Sequence, residues 1–281
     1  NELLELVRHQ GAQTINKITP FSRAFLDPDD QYKCIHLMPL QVLGQYAFDV
    51  DSSYNSLSAQ IIDTLQKLPS NHGLVITKYV AGGFDGGIDN DTISYIKEQY
   101  PNLIYFPIFE LLDNVSQYLL PNVDTVITLS SSIGVQALLF NKPLIALNSI
   151  YFSKIADYDC IESFLKDFQL GGLLLESISQ KHDNKLKWIL SYHQPLAKLL
   201  LHDSEFLSSL IFSKVRKDGK SFFEIFPDYI SAFKRSFKCD KAIKDIEALT
   251  GLVDSTCGIN TEQKFFKTVS DLRPELISFD I

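Results

Sequence analysis

A run of three hydroxyl side chains carries the clearest potential for chemistry in this chain. Ser130, Ser131 and Ser132 follow an apolar segment that ends at Leu129, and a second apolar segment begins directly after them. Serine is favoured at helix N-termini, where free backbone N–H groups can bind an anion. The pattern predicts either a phosphate site, with Gly134 allowing a ligand or a neighbouring strand to come close, or a plain serine cap.

A second candidate is a glycine-rich segment that begins with a cation. Lys78 ends an apolar run and is followed closely by Gly82, Gly83, Gly86 and Gly87. Such a loop can follow a phosphate group closely, but its spacing matches neither the P-loop nor the G-x-G-x-x-G pattern. We expect Lys78 either to bind phosphate or to be a solvated lysine on a surface loop.

The remaining polar residues point less clearly to a function. Gln41 follows the first apolar run and is expected to contact a ligand or to cap the turn of the chain. His36 lies inside that run, which favours a core histidine over a catalytic base. The histidines form no HExxH pattern, and no G-x-S-x-G elbow predicts a serine hydrolase. Catalytic residues therefore stay unassigned.

Cysteine spacing predicts neither a disulfide framework nor a metal site. The four cysteines lie far apart in sequence and form no CxxC pair, so we expect reduced thiols and no bound metal. They are Cys34, Cys160, Cys239 and Cys257.

Five short apolar runs are the elements that would position these residues. Segments of helical length and periodicity separate them, such as the one that contains Leu57, Ile61 and Leu65. Strands that alternate with helices predict an α/β fold with a Rossmann-like parallel sheet, whose ligands bind beyond the carboxyl ends of the strands. The predicted strands are residues 34–38, 74–77, 103–106, 125–129 and 144–147.

The changing pattern along the chain predicts three regions. Residues 1–32 form an N-terminal helix and linker, residues 33–180 a Rossmann-like domain, and residues 181–281 a helical C-terminal region. Apolar spacing predicts helices over residues 2–7, 222–237 and 241–249.

Composition excludes several classes of protein. The 281 residues are 45% hydrophobic, enough for a full core, and the net charge of −8 with pI ≈ 5.2 argues against a nucleic-acid-binding surface. No apolar stretch is long enough to span a bilayer, so we expect a cytoplasmic protein or one peripheral to the inner membrane. The chain begins with Asn1 and its single methionine is Met38, as expected for a processed chain or a piece of a longer protein.

The order of these motifs resembles the capsule polysaccharide biosynthesis family, which includes bacterial Kdo transferases of the GT-B type. The resemblance covers residues 35–155, and its most specific part is the run from the serines to the Asn-Lys-Pro segment. The motifs that carry it are Gln41 after a strand, Lys78 at the end of another, Ser131-Ser132-Ile133-Gly134-Val135-Gln136-Ala137-Leu138, Asn141-Lys142-Pro143 and Tyr151.

The resemblance implies the nucleotide-sugar-binding half of a two-domain glycosyltransferase, with CMP-Kdo as the leading donor and no further cofactor. Its partners would be the nucleotide sugar, a glycan or glycolipid acceptor and other capsule-assembly proteins. It implies that Ser131 and Ser132 hold the donor phosphate, with Gly134 and Lys78 beside them. Gln41, Ser130 and Tyr151 would make further ligand contacts.

Two departures from the family pattern leave alternatives open. Tyr79, Val80 and Ala81 replace the Glu-His-Pro that usually follows the lysine, and Gln136 replaces a glutamate. In addition, the thirty or so residues before the sheet are too few for the acceptor-binding half, so a further α/β domain is expected upstream. A non-catalytic scaffold domain of a capsule complex and an epimerase-like GT-B relative therefore stand beside the glycosyltransferase interpretation.

Overall fold

The computed structural model describes most of the first two-thirds of the chain and a short segment near the C-terminus. It covers residues 21–41, 52–79, 87–111, 115–147, 154–169, 175–193 and 221–226, with the single positions 4, 5, 8, 152, 229 and 231.

A five-stranded parallel sheet forms the centre of the fold, as the sequence predicts. Its spatial order is β3-β2-β1-β4-β5, so β1 and β4 lie side by side although three helix-bearing connections separate them in sequence. All five strands are buried along their length, because helices cover both faces of a parallel sheet. The strands are β1 (Cys34–Pro39), β2 (His72–Thr77), β3 (Leu103–Ile104), β4 (Thr125–Thr128) and β5 (Leu144–Ala146).

Helices connect and cover these strands. The main crossover helices begin at capping residues: the hydroxyl of Ser56 accepts from the N–H of Ala59, and the carboxylate of Asp89 accepts from the N–H of Thr92. The helices are α1 (Arg23–Leu26), α2 (Leu57–Lys67), α3 (Asn90–Gln99), α4 (Val115–Leu119), α5 (Ile133–Leu139), α6 (Ile161–Gln169), α7 (Leu175–Trp188) and α8 (Phe222–Ile225). Short 3₁₀ turns, Pro107–Leu111 and Leu120–Asn122, and a π turn, Ile189–His193, complete the described elements.

Asp124 fixes the start of β4 against β1. One oxygen of its carboxylate accepts hydrogen bonds from the backbone N–H of Ile35 (2.7 Å) and from the guanidinium of Arg23 (2.6 Å). The Asp124 N–H in turn donates to the carbonyl of Ile35 at 2.8 Å. These bonds set the register of the two central strands, and register decides which side chains meet at the far edge of the sheet.

Helix α7 is attached to the sheet region by a buried ion-pair cluster. The carboxylate of Asp157 accepts from the imidazole of His182 (2.8 Å), from the ammonium of Lys185 (2.5 Å) and from the N–H of Leu144 at the start of β5 (2.9 Å). Position 180, where the sequence predicts a domain boundary, falls inside this helix. The predicted boundaries stay predictions.

Two elements end earlier than the sequence predicts, and a proline explains the earlier end of the helix. Strand β3 ends at Ile104, and Phe106 precedes Pro107, where a 3₁₀ turn begins. The predicted helix over residues 222–237 is wrong at Phe226, which has an extended backbone and precedes a proline in sequence. A proline disfavours helical geometry in the residue before it. The helices predicted in residues 2–7 and 241–249 lie wholly or mostly outside the described residues.

Candidate functional site

The carboxyl edge of the sheet brings two predicted ligand contacts together. Gln41 follows β1 and Ser130 follows the neighbouring strand β4. The hydroxyl of Ser130 donates a hydrogen bond to the side-chain carbonyl of Gln41 at 3.2 Å. Gln41 is 8% exposed, so its amide lines the inner wall of this edge and does not extend into solvent.

The serine turn, residues Ser130 to Ser132, is held by its own backbone. The N–H of Ser131 donates to the hydroxyl of Thr128 at 3.0 Å, and the carbonyl of Ser131 accepts from the N–H of Gly134 at 2.8 Å. The Ser131 hydroxyl also lies 3.4 Å from the N–H of Ile133. Most polar groups of Ser131 therefore make hydrogen bonds within the turn itself.

Ser132 occupies the N-cap position of α5, but its side chain does not cap the helix. Its backbone is already helical, and its hydroxyl accepts no hydrogen bond from the helix. Capping side chains need an extended backbone at this position, so the expected Ser132 cap is wrong. Its side chain is exposed at the mouth of the carboxyl edge. Among the described residues, none bonds to its hydroxyl or its N–H.

Gly134 is a packing position against the sheet. A Cβ atom built on it would lie 3.1 Å from Phe152, 3.1 Å from Thr128 and 3.3 Å from Leu144. These distances are shorter than ordinary carbon–carbon contacts. Of the two expectations for this glycine, close approach of a strand is what the geometry shows; contact with a ligand phosphate stays a prediction.

Lys78 follows β2 and is buried in a polar cluster with Glu110, Tyr105 and Asn90. Its side chain is 3% exposed, and its ammonium lies 2.8 Å from the carboxylate of Glu110. It also donates to the side chain of Asn90 (3.0 Å) and to the carbonyl of Ile88 (3.3 Å). The expectation of a solvated surface lysine is wrong.

The same contacts limit what Lys78 can offer to a ligand. A lysine ammonium has three N–H donors, and three protein acceptors surround this one. The phenol of Tyr105 also donates to Glu110, and burial together with that carboxylate raises the Tyr105 pKa. Phosphate binding by Lys78 stays a prediction that requires the Glu110 pair to open.

Tyr79 is a residue at this edge that the motif search missed. It directly follows Lys78, and 54% of its surface is exposed. An exposed aromatic face can stack on a nucleobase, and the position at a strand end was a signal available in the sequence. Tyr151, the last predicted ligand contact, lies outside the described residues.

At the opposite, amino edge of the sheet, His36 is confirmed as a core histidine. It is fully buried, and its Nδ1 lies 2.5 Å from the hydroxyl of Thr125. Its Nε2 lies 3.0 Å from Nδ1 of His72. Burial and the neighbouring His72 lower the pKa of His36 to about 3, so the ring stays neutral at physiological pH.

Comparison with known families agrees with the order of the motifs. The model of the capsule polysaccharide biosynthesis protein family matches residues 12–155, which include all five strands, the serine turn and Lys78. The chain belongs to the capsule polysaccharide biosynthesis protein family. This membership supports a role in capsule synthesis. No curated protein matches the chain.

The family match covers the sheet as the structure describes it. The matched region contains the whole parallel sheet and its carboxyl edge. Among the described residues of this capsule family member, no helix has the length and apolar content needed to cross a membrane.

Proposed function

We propose that this capsule biosynthesis protein is a glycosyltransferase domain that binds a nucleotide sugar at the carboxyl edge of its sheet. The observation that carries the proposal is the contact between Ser130 and Gln41, which places two ligand-type side chains at the ends of adjacent central strands. In open parallel sheets, nucleotides bind at this edge, beside the point where the strand order reverses. CMP-Kdo is the leading donor, and a capsule glycan or glycolipid is the acceptor.

The phosphate of the donor would bind at the exposed end of the serine turn. Ser132 offers a hydroxyl and a backbone N–H that no described residue uses, while Ser131 shapes the turn. Hydrogen-bond donors aimed at a phosphate stabilise the charge that develops on it as the glycosidic bond to the sugar breaks. The sugar carbon is then attacked by an acceptor hydroxyl, from which a base outside this region removes the proton.

Tyr79 and Gln41 would orient the donor around that phosphate. The exposed ring of Tyr79 supports stacking against the base, and the amide of Gln41 supports a hydrogen bond to the ribose or sugar. Lys78 would contribute charge only if phosphate replaces Glu110 as its partner, since the two are 2.8 Å apart.

A non-catalytic scaffold domain is the second candidate, and one observation favours it. The lysine that the family resemblance assigns to the donor phosphate is buried and fully paired, and the His-Pro that usually follows it is absent from this sequence. A scaffold would keep the fold and the capsule partners but bind no nucleotide.

Calorimetric titration of the protein with CMP, UDP and GDP separates the two candidates. The glycosyltransferase proposal expects one of the nucleotides to bind, and Ser132→Ala to weaken that binding. Ser94→Ala is a matched control, because Ser94 is an exposed serine on α3 that bonds only to its own helix. Absence of binding to all three nucleotides, and to CMP-Kdo itself, would support the scaffold.

A further inference from the structure

Three side chains of the kinds that bind transition metals meet at the amino edge of the sheet. Cys34 and His36 are two residues apart on β1 and so lie on the same face of the strand. His72 lies directly opposite Cys34 in the β1–β2 register. All three are buried, and their ligand atoms lie within 4.8 Å of one another.

A hydrogen bond joins the two ring nitrogens that would bind a metal ion, so on binding the proton between them would move to the other nitrogen of its ring. Nε2 of His36 and Nδ1 of His72 approach to 3.0 Å, and the rings are nearly parallel, at 22°. The other ring nitrogen of His36 bonds to the hydroxyl of Thr125. Metal-binding histidines almost always use their second nitrogen in this way, which fixes the orientation of the ring.

We propose that Cys34, His36 and His72 form a binding site for a single Zn²⁺ or Cu⁺ ion. A thiolate with two imidazoles is a ligand set that both ions accept, whereas Mg²⁺ and Ca²⁺ require oxygen ligands. On binding, the thiol of Cys34 releases its proton to solvent and the sulfur coordinates the metal, so no oxidation or reduction takes place.

The surroundings of the site indicate a structural role. Phe164 of α6 packs edge-on against His36 at 5.5 Å, and Phe168 packs against His72 at 5.2 Å. The ion would join β1, β2 and the aromatic face of α6, at the edge opposite the serine turn. The two aromatic rings shield the site from solvent, which suits three-coordinate Cu⁺, whereas Zn²⁺ needs a fourth ligand.

The charge near the site distinguishes the two ions further. Cu⁺ with one thiolate is neutral, whereas Zn²⁺ with one thiolate leaves a net positive charge in a buried place. The carboxylate of Asp124 acts electrostatically on both Cys34 and His72 and would offset part of that charge, against the opposing effects of Arg23 on Cys34 and Lys33 on His72. Asp124→Asn should therefore weaken Zn²⁺ binding more than Cu⁺ binding.

The test is metal binding by the purified chain after chelation under reducing conditions. Zn²⁺ and Cu⁺ are added in separate titrations, followed by dialysis and elemental analysis. We expect one equivalent of at least one ion to be retained and the melting temperature to rise by several degrees. If neither ion is retained and neither shifts the melting temperature, the proposal is overturned.

Variants test whether the three side chains are the ligands. Cys34→Ala and His72→Gln should each weaken binding by at least about tenfold, and Thr125→Val by about tenfold through the orientation of His36. Cys160→Ser is the control, because Cys160 is a partly exposed thiol bonded to Ser163, outside the cluster. Equal binding by Cys34→Ala and the wild type would contradict the proposal.

A measurement on the wild type keeps the proposal testable if the variants do not fold. X-ray absorption at the metal edge counts the ligands directly, and we expect one sulfur and two imidazole nitrogens. A coordination shell of oxygen alone, or one with two or more sulfurs, would assign the ion to another place on the chain and overturn the proposal.

Discussion

The hydroxyl of Ser130 donates to the side-chain carbonyl of Gln41 at 3.2 Å, across the ends of two adjacent strands that are 89 positions apart in sequence. This bond joins the serine turn to the neighbouring central strand β1. It also orients the Gln41 amide, whose NH₂ group has no partner among the described residues.

Replacing Ser131 and Ser132 together by alanine should weaken nucleotide binding by about 1–3 kcal/mol, the scale of hydrogen bonds to a charged group. The free energy of unfolding should fall by less than about 1 kcal/mol, because Ser132 does not cap the helix and Ser131 makes only a long bond to Ile133. Calorimetry with CMP and thermal unfolding measure the two effects. A loss of stability with unchanged affinity would contradict the phosphate site.

Gly134→Ala should destabilise the fold by about 1 kcal/mol. Alanine favours a helix by about 1 kcal/mol over glycine, but overpacking against buried side chains costs about 1–3 kcal/mol. The new methyl group would press on Phe152, Thr128 and Leu144. Chemical denaturation measures the change. Nucleotide affinity of the folded protein should stay within about threefold, and a larger loss would show that the glycine admits a ligand.

Lys78→Ala should destabilise the fold by about 2–3 kcal/mol, because it leaves the Glu110 carboxylate without its cation. The value is below that for a fully buried pair, since the Glu110 side chain is 25% exposed. Removing both residues should cost less than the sum of the two single losses. Lys181→Ala, on an exposed face of α7, is the control. Chemical denaturation of the two single variants and the double variant measures the coupling. If the losses in the free energy of unfolding are additive, Lys78 and Glu110 are not coupled.

Acid should loosen the attachment of α7 through Asp157. Burial alone would raise the pKa of Asp157, but hydrogen bonds from His182 and Lys185 lower it below the usual value. Stability from this carboxylate is therefore complete above the unfolded pKa of about 3.9 and is lost as the pH falls through the lower folded value. Unfolding followed by circular dichroism should show a shallower loss below about pH 4 in Asp157→Asn. If the stability of the two proteins falls equally steeply as the pH is lowered, this role of Asp157 is contradicted.

Local patterns in the sequence were sufficient to predict the sheet and the turn at which α5 begins. All five strands were predicted because buried parallel strands are short, nearly continuous apolar runs. The serine run predicted where a helix begins, and α5 indeed starts at Ile133. Pro227 was a signal that the prediction underused, since it explains why α8 ends early.

Pairings between distant residues could not be predicted, because no local pattern records them. The sequence showed a lysine at a strand end, but only the fold brings Glu110 and Asn90 to its ammonium and removes it from solvent. Cysteine spacing could not indicate the cluster of Cys34, His36 and His72, because Cys34 and His72 are neighbours only across the β1–β2 register.

The sequence by itself thus determined the fold class and the family. These depend on hydrophobic periodicity and on short motifs, which act over a few residues. The tertiary structure decided which polar groups remain available at the carboxyl edge of the sheet: Ser132 is exposed, Gln41 is bonded to Ser130, and Lys78 is paired. Availability depends on burial and on partners from other strands, and these are set only when the strands pair and the helices pack.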